Sequence, residues 1–403
     1  MKTQTHLPSL LGSLLFILGA VLGLGVAVLM GVVALSTFLT GGEVDASQTI
    51  VLAVAGFEGL VLMGAAFVSI QKFLQKPSAE TDSSFTISVW QIVALVILAG
   101  AAVLIGHLVN SNGTINWIVL PVLTLAAVSL PILILLGLGT RGVPLGARWQ
   151  SWSVLGIAMT LAPFLLIVIE TIAMILIFLF AVVFIASQPD LVNEIERLSR
   201  QIYVIGPDPE AMARRLAPFL TRPAVIGVAM IYFSIVVPLV EELIKPLGVW
   251  LFANRLSSPA QGFALGALSG AGYALIETLG VSAQTADWAS LLLSRIGTGI
   301  LHITASALMG GAIGFAVRER RYLRLLGTYL ASVSLHGLWN GLAILYTFST
   351  LSEYMEEAGP LDGIGLPVSI GMGIQAVVML GILIISNRRI RKTLPQDPPS
   401  SDL

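Results

Sequence analysis

The chain has 403 residues, of which 56% are apolar and 11% charged. Soluble domains carry about a quarter of their residues as charges, so this composition excludes one and places most of the chain in hydrocarbon. Lys and Arg number 21 against 22 Asp and Glu, a formal net charge of −1 that offers no basic excess for a phosphate backbone and argues against nucleic acid as a partner. The chain has no cysteine, which rules out disulfides, thiolate metal sites and a cysteine nucleophile. Any metal would have to use His, Glu, Asp or Asn.

Apolar runs of about 18 residues or more can cross a bilayer. Ten occur in chain order, near residues 8–39, 49–71, 87–109, 116–138, 152–186, 223–253, 260–280, 296–317, 323–347 and 364–386. They predict an all-α, polytopic membrane protein of about ten transmembrane helices. The first run is too long for a signal-peptide core and lacks a small-residue cleavage site before Gly41 and Gly42, so it reads as a helix. Charge supports the count, because short cytoplasmic loops collect Lys and Arg. With the N-terminus inside, the inner segments hold Lys2, Lys72, Lys76, Arg141, Arg148, Arg255, Arg318, Arg320, Arg321, Arg324, Arg388, Arg389, Arg391 and Lys392. The outer short loops hold Glu43, Asp45, Asp287, Glu353, Glu356, Glu357 and Asp362 against a single Arg295. Both termini are therefore expected in the cytoplasm, and a bacterial plasma membrane is the default host.

The domains follow from polarity. Residues 1–186 form an N-terminal five-helix membrane region. Residues 187–222 are too polar to span, yet Leu191, Ile195 and Leu198 share one helical face, as do Met212, Leu216 and Phe219. One or two amphipathic helices on the outer membrane surface are expected there, with a plain linker as the alternative. Residues 223–386 form the membrane core that carries the chemistry, and residues 387–403, rich in Pro, Ser and Asp, read as a disordered cytoplasmic tail.

An ionisable group in hydrocarbon needs a partner or water, so each one suggests function. In the first half the acidic candidates are only Glu58 and Glu170, and with no ionisable neighbour within a turn they read as structural. The second half is different. The sixth run carries Pro238, then Glu241, Glu242, Lys245 and Pro246; Glu241 and Lys245 are four apart, and Glu242 is within reach of the same ammonium. Pro238 releases the carbonyl four residues earlier and can open the helix beside the carboxylates. The seventh run presents Tyr273 and Glu277 on a helix that Gly262, Gly266 and Gly270 suit to close packing. In the eighth, His302 and Ser306 share a face with Gly310 and Gly314, and the ninth aligns Ser332, His336 and Asn340. Each element has a plain reading: interhelical hydrogen bonds for His and Asn, neutralisation for Lys245, packing for the glycines. Together, three carboxylates and one ammonium leave a buried excess of negative charge that calls for a shared proton, a protonated histidine or a bound cation.

The run EELIK from Glu241 to Lys245, the element Tyr273 to Glu277, the intramembrane His302 and the run HGLWN from His336 to Asn340 resemble the four motifs of PrsW-type intramembrane proteases, distant relatives of the type II CAAX prenyl proteases and the Abi proteins. The resemblance covers roughly residues 223–347. Tyr273 stands where the family usually has Phe, and the first five helices and the outer segment carry no resemblance. It implies an intramembrane endopeptidase acting on membrane-anchored protein substrates in the lipid bilayer.

The residue chemistry agrees. Hydrolysis needs an activated water, a base and donors for the oxyanion. Glu241 is the candidate base, Glu242 orients Lys245 or holds a second proton, His336 binds the water or donates to the leaving amine, and Asn340 donates to the oxyanion. By similarity to the relatives, Glu277 stands where the CAAX proteases have a histidine, and Glu277, His302 and His336 then make a three-ligand set with a fourth zinc position open for water. Zinc and a metal-free glutamate mechanism both stay open; the lack of an HExxH spacing favours the second. The expectation is that Glu241, Glu242, Glu277, His302, His336 and Asn340 share one water-accessible cavity. The rival class is a proton-coupled transporter, which would use the Glu, Lys and His groups as a relay.

Overall fold

The computed structural model describes residues 6–110, 115–205, 208–283, 287–355, 359 and 361–394. The protein is all-α. The helices are α1 (Leu7–Leu39), α2 (Ala46–Phe73), α3 (Val89–Asn110), α4 (Asn116–Thr140), α5 (Arg148–Met159), α6 (Leu161–Ala186), α7 (Pro189–Ile205), α8 (Pro209–Leu220) and α9 (Pro223–Ile231). A π-helical turn over Tyr232–Val236 leads into α10 (Val237–Ile244) and α11 (Leu247–Leu251). Then follow α12 (Pro259–Val281), α13 (Trp288–Glu319), α14 (Tyr322–Ser352) and α15 (Gly365–Arg391). The β-structure described is one two-residue antiparallel pairing of Asp82–Ser83 with Gly146–Ala147.

Nine stretches among the described residues are long and apolar enough to cross a membrane, against the ten expected. The difference is α14: its 31 residues exceed the ~20 that a span requires, but His336, Asn340 and its serines dilute its apolar character. The expected outer segment does form helices. In α7 and α8 the predicted faces, Leu191 with Ile195 and Leu198 and Met212 with Leu216 and Phe219, are half-buried beside exposed polar neighbours. Asp208 caps α8 by accepting from the Glu210 and Ala211 amides. At the other end of the chain α15 continues to Arg391, past the expected start of the tail, while residues 395–403 lie outside the described residues, as do Lys2, Glu356 and Glu357.

Backbone contacts divide the chain into two compact units. The first comprises Met1–Pro163, Glu242–Ser332 and Val378–Leu403; the second comprises Phe164–Glu241 and Val333–Val377. In the first unit α12 and α13 form the core: 72% and 89% of their most apolar windows are buried, against 11% for α1, whose Leu and Val side chains face outward as lipid-facing groups do. Ser258 caps α12 by accepting from the Gln261 amide, and Pro259 occupies its first turn, where a missing N–H costs nothing.

The two core helices meet along a glycine seam. Side chains at Gly262, Gly266 and Gly270 of α12 would stand 2.4, 2.2 and 2.3 Å from the carbonyl oxygens of Gly310, Ser306 and His302 on α13. Only a hydrogen at these positions permits the approach, the usual means of bringing membrane helices together. In the second unit α14 meets the π-turn in the same way, with a side chain at Gly337 placed 2.2 Å from the Ser234 oxygen.

Gly266→Ala should therefore part α12 from α13 and lower the thermal midpoint in detergent, with a loss of about 1–3 kcal/mol. Gly280→Ala in the same helix, with nothing within 4 Å, should leave the midpoint unchanged or raise it slightly. Equal effects of the two substitutions would refute the seam.

Candidate active site

The segment bearing Glu241 and Glu242 is a short helix between two breaks. In the π-turn the Val237 amide donates to the Tyr232 carbonyl, one residue further back than in an α-helix. That deprives the Phe233 carbonyl of its usual donor, and Pro238 has no N–H to replace it. The side-chain amide of Asn340 donates to the Phe233 oxygen instead, at 2.8 Å. At the far end the Val249 amide turns back to Pro246, and the Lys245 carbonyl accepts from the buried Ser269 hydroxyl at 2.6 Å. Irregular backbone at membrane depth persists where such partners satisfy it.

Within the first unit five side chains form a chain of alternating charge. Lys245 Nζ donates to Glu242 Oε1 at 2.9 Å, both side chains being fully buried. The same ammonium lies 2.8 Å from His302 Nδ1, and His302 Nε2 lies 2.5 Å from Glu277 Oε2. Arg295 closes the sequence at 2.8 Å from Glu277 Oε2. Tyr273 packs edge-on to His302 with ring centroids 5.0 Å apart and sits 5.1 Å beneath the ammonium. An ammonium can only donate, so Nδ1 of His302 accepts and Nε2 carries the proton given to Glu277. Two carboxylates, two cations and a neutral imidazole then sum to zero.

Arg295 is the residue that sequence reasoning misplaced. It belongs to α13, not to an outer loop, and stands seven residues before His302, two turns along the same face. That spacing was the available signal. With Arg295 included, these five side chains carry no negative excess. Of the two carboxylates expected within reach of Lys245, Glu242, three residues before it, forms the ion pair, and the helix ends at Ile244.

Glu241, His336 and Asn340 belong to the second unit. Glu241 Oε2 lies 3.9 Å from His336 Nε2, both buried. That exceeds a hydrogen bond, yet a water about 2.8 Å from each atom would subtend roughly a right angle. Glu242, Lys245, Glu277 and His302 are thus brought together in one unit, and Glu241 with His336 in the other. The expected zinc set divides the same way, Glu277 and His302 in the first unit and His336 in the second.

As arranged, these donors do not fit a resident metal ion. His302 offers its proton-bearing nitrogen to Glu277 and its lone pair to a cation, and Glu277 is held by a second cation, so two positive charges flank the pair. Among the described residues no three His, Asp or Glu side chains are grouped to hold a metal.

Removing one partner of a fully buried pair strands the other charge. Lys245→Met should cost about 3–5 kcal/mol of stability, and adding Glu242→Gln should recover most of it. Thermal unfolding of the single and double variants in detergent checks this, and a double variant no better than the single would contradict the pairing.

A family model described as PrsW family intramembrane metalloprotease matches residues 147–356, just over half of the chain. The match contains every residue of both groupings and begins well before residue 223, taking in α5, α6 and the amphipathic helices. No curated protein and no solved structure matches.

Proposed function

The chain belongs to the PrsW family of intramembrane proteases, and from that premise we propose that it hydrolyses membrane-anchored protein substrates with a water activated by Glu241. The observation that carries this reading is the Glu241–His336 approach at 3.9 Å, an acceptor and an imidazole spaced for one shared water in a buried setting. Glu241 takes the proton of that water as it attacks the scissile carbonyl; as the C–N bond breaks, His336 gives its proton to the leaving amine and recovers one from the Glu241 carboxyl, so that both side chains return to their starting states. Asn340 spends one amide hydrogen on the Phe233 oxygen and retains a second that can donate to the tetrahedral oxyanion.

Glu242, Lys245, Glu277, His302 and Arg295 serve as positioning residues in this scheme. The buried pair of Glu242 with Lys245 fixes the backbone next to Glu241, and the alternating charges hold that pair neutral overall. No step uses a metal. A proton-coupled transporter, the other class these side chains allow, is disfavoured by the family and by the concentration of polar groups in one stretch of the chain. With α14 taken as a tenth span, the Lys and Arg distribution supports reading both termini as cytoplasmic, and a bacterial plasma membrane is the proposed host.

Glu241→Gln preserves the shape of the side chain and removes its basicity, so cleavage of a membrane-anchored peptide by purified protein should fall at least ~100-fold. Exhaustive chelation should leave the wild-type rate unchanged. Full activity of the variant would end the assignment of Glu241, and loss of wild-type activity on removal of a stoichiometric metal would end the metal-free scheme.

A further inference from the structure

A cavity of about 420 Å³ opens where α13 and α15 end and α14 begins, wholly within the first unit and built from none of the candidate active-site residues. Its inner wall is apolar, formed by Phe263, Phe315 and Ile390, and its mouth carries Arg321, Arg324 and Arg389. Glu319, also in the lining, pairs with Arg321 at 2.8 Å. No ion pair to Arg324 or Arg389 occurs among the described residues. The Arg324 guanidinium lies 3.6 Å from the centre of the Phe315 ring and Arg321 lies 5.6 Å from the same centre, so one aromatic ring gathers two like charges. The connection that brings them there is strained: Arg320 adopts a left-handed conformation, φ 56°, that glycine would occupy more easily. Thr328, Ser386 and Thr393 add hydroxyls to the same lining.

We propose that this cavity binds the phosphate of an anionic phospholipid headgroup. Clustered guanidiniums recognise phosphate oxygens, and basic pockets between the ends of membrane helices are where anionic lipid headgroups dock. The apolar inner wall favours a lipid over free phosphate, since it offers surface to the glycerol and first acyl carbons that an inorganic ion would leave unused.

The test is binding to the full-length protein in a neutral detergent, read by native mass spectrometry and thermal shift, with dioleoylphosphatidylglycerol, dioleoylphosphatidylcholine, glycerol 3-phosphate and inorganic phosphate as probes. Phosphatidylglycerol should bind at least about 10-fold tighter than phosphatidylcholine, and Arg324→Gln with Arg389→Gln should weaken it roughly 30-fold. Arg389→Gln alone, at an exposed position that tolerates substitution, should show part of that loss in a normally folded protein. Arg388→Gln with Lys392→Gln removes the same charge outside the lining and should change affinity less than about 3-fold. An equal loss in this control would reduce the effect to diffuse attraction and overturn the site. No preference for phosphatidylglycerol, or binding of glycerol 3-phosphate and inorganic phosphate as tight as that of the lipid, would overturn the lipid assignment.

Discussion

A charge buried in a membrane protein must be answered by an opposite charge or a hydrogen bond, and in this protein the requirement is met by an ordered series. Glu242, Lys245, His302, Glu277 and Arg295 alternate acceptor and donor from fully buried carboxylate to half-buried guanidinium. Each link constrains the next. The ammonium fixes the imidazole tautomer, the tautomer fixes what Glu277 receives, and Arg295 settles the remaining charge. Removing a charged member leaves its partner with an unmatched charge in low dielectric, which costs several kcal/mol, whereas removing His302 strands a hydrogen bond on either side.

Each unit has its own backbone device, a glycine seam in the first and a π-turn in the second. The glycine seam lets α12 and α13 approach until carbonyl oxygens nearly touch the facing α-carbons, which holds His302 opposite Gly270. The π-turn and Pro238 interrupt the sixth span just before the paired glutamates, and Asn340 receives the carbonyl thereby released. The sequence HGLWN accordingly joins two tasks in five residues: His336 approaches Glu241, while Gly337 and Asn340 accommodate the irregular backbone that carries it.

Much of this was legible from residue spacing. Glycines at every fourth position announce a close-packed face, and the opening at Pro238 follows from proline's missing N–H. The α7 and α8 faces were equally plain, because an apolar stripe on a charged segment has one arrangement at an interface. Arg295 was obscured by its position near a run boundary, where loop and helix differ by a single turn of chain. Spacing left both Glu241 and Glu242 open as partners of Lys245, and the end of this helix at Ile244 is what periodicity does not show. The role of Asn340 as a backbone partner depends on a π-turn that no periodicity reveals. α14 fell short of a span by composition because His336, Asn340 and its serines are polar.

The tautomer of His302 tests the charge series most directly. Nitrogen-15 NMR of the imidazole-labelled protein at neutral pH, with His302→Gln used to assign the ring, distinguishes the protonated nitrogen from the bare one. The account predicts a neutral ring with its proton on Nε2 and a lone pair on Nδ1 facing Lys245. An imidazolium, or a neutral ring protonated on Nδ1, would contradict it.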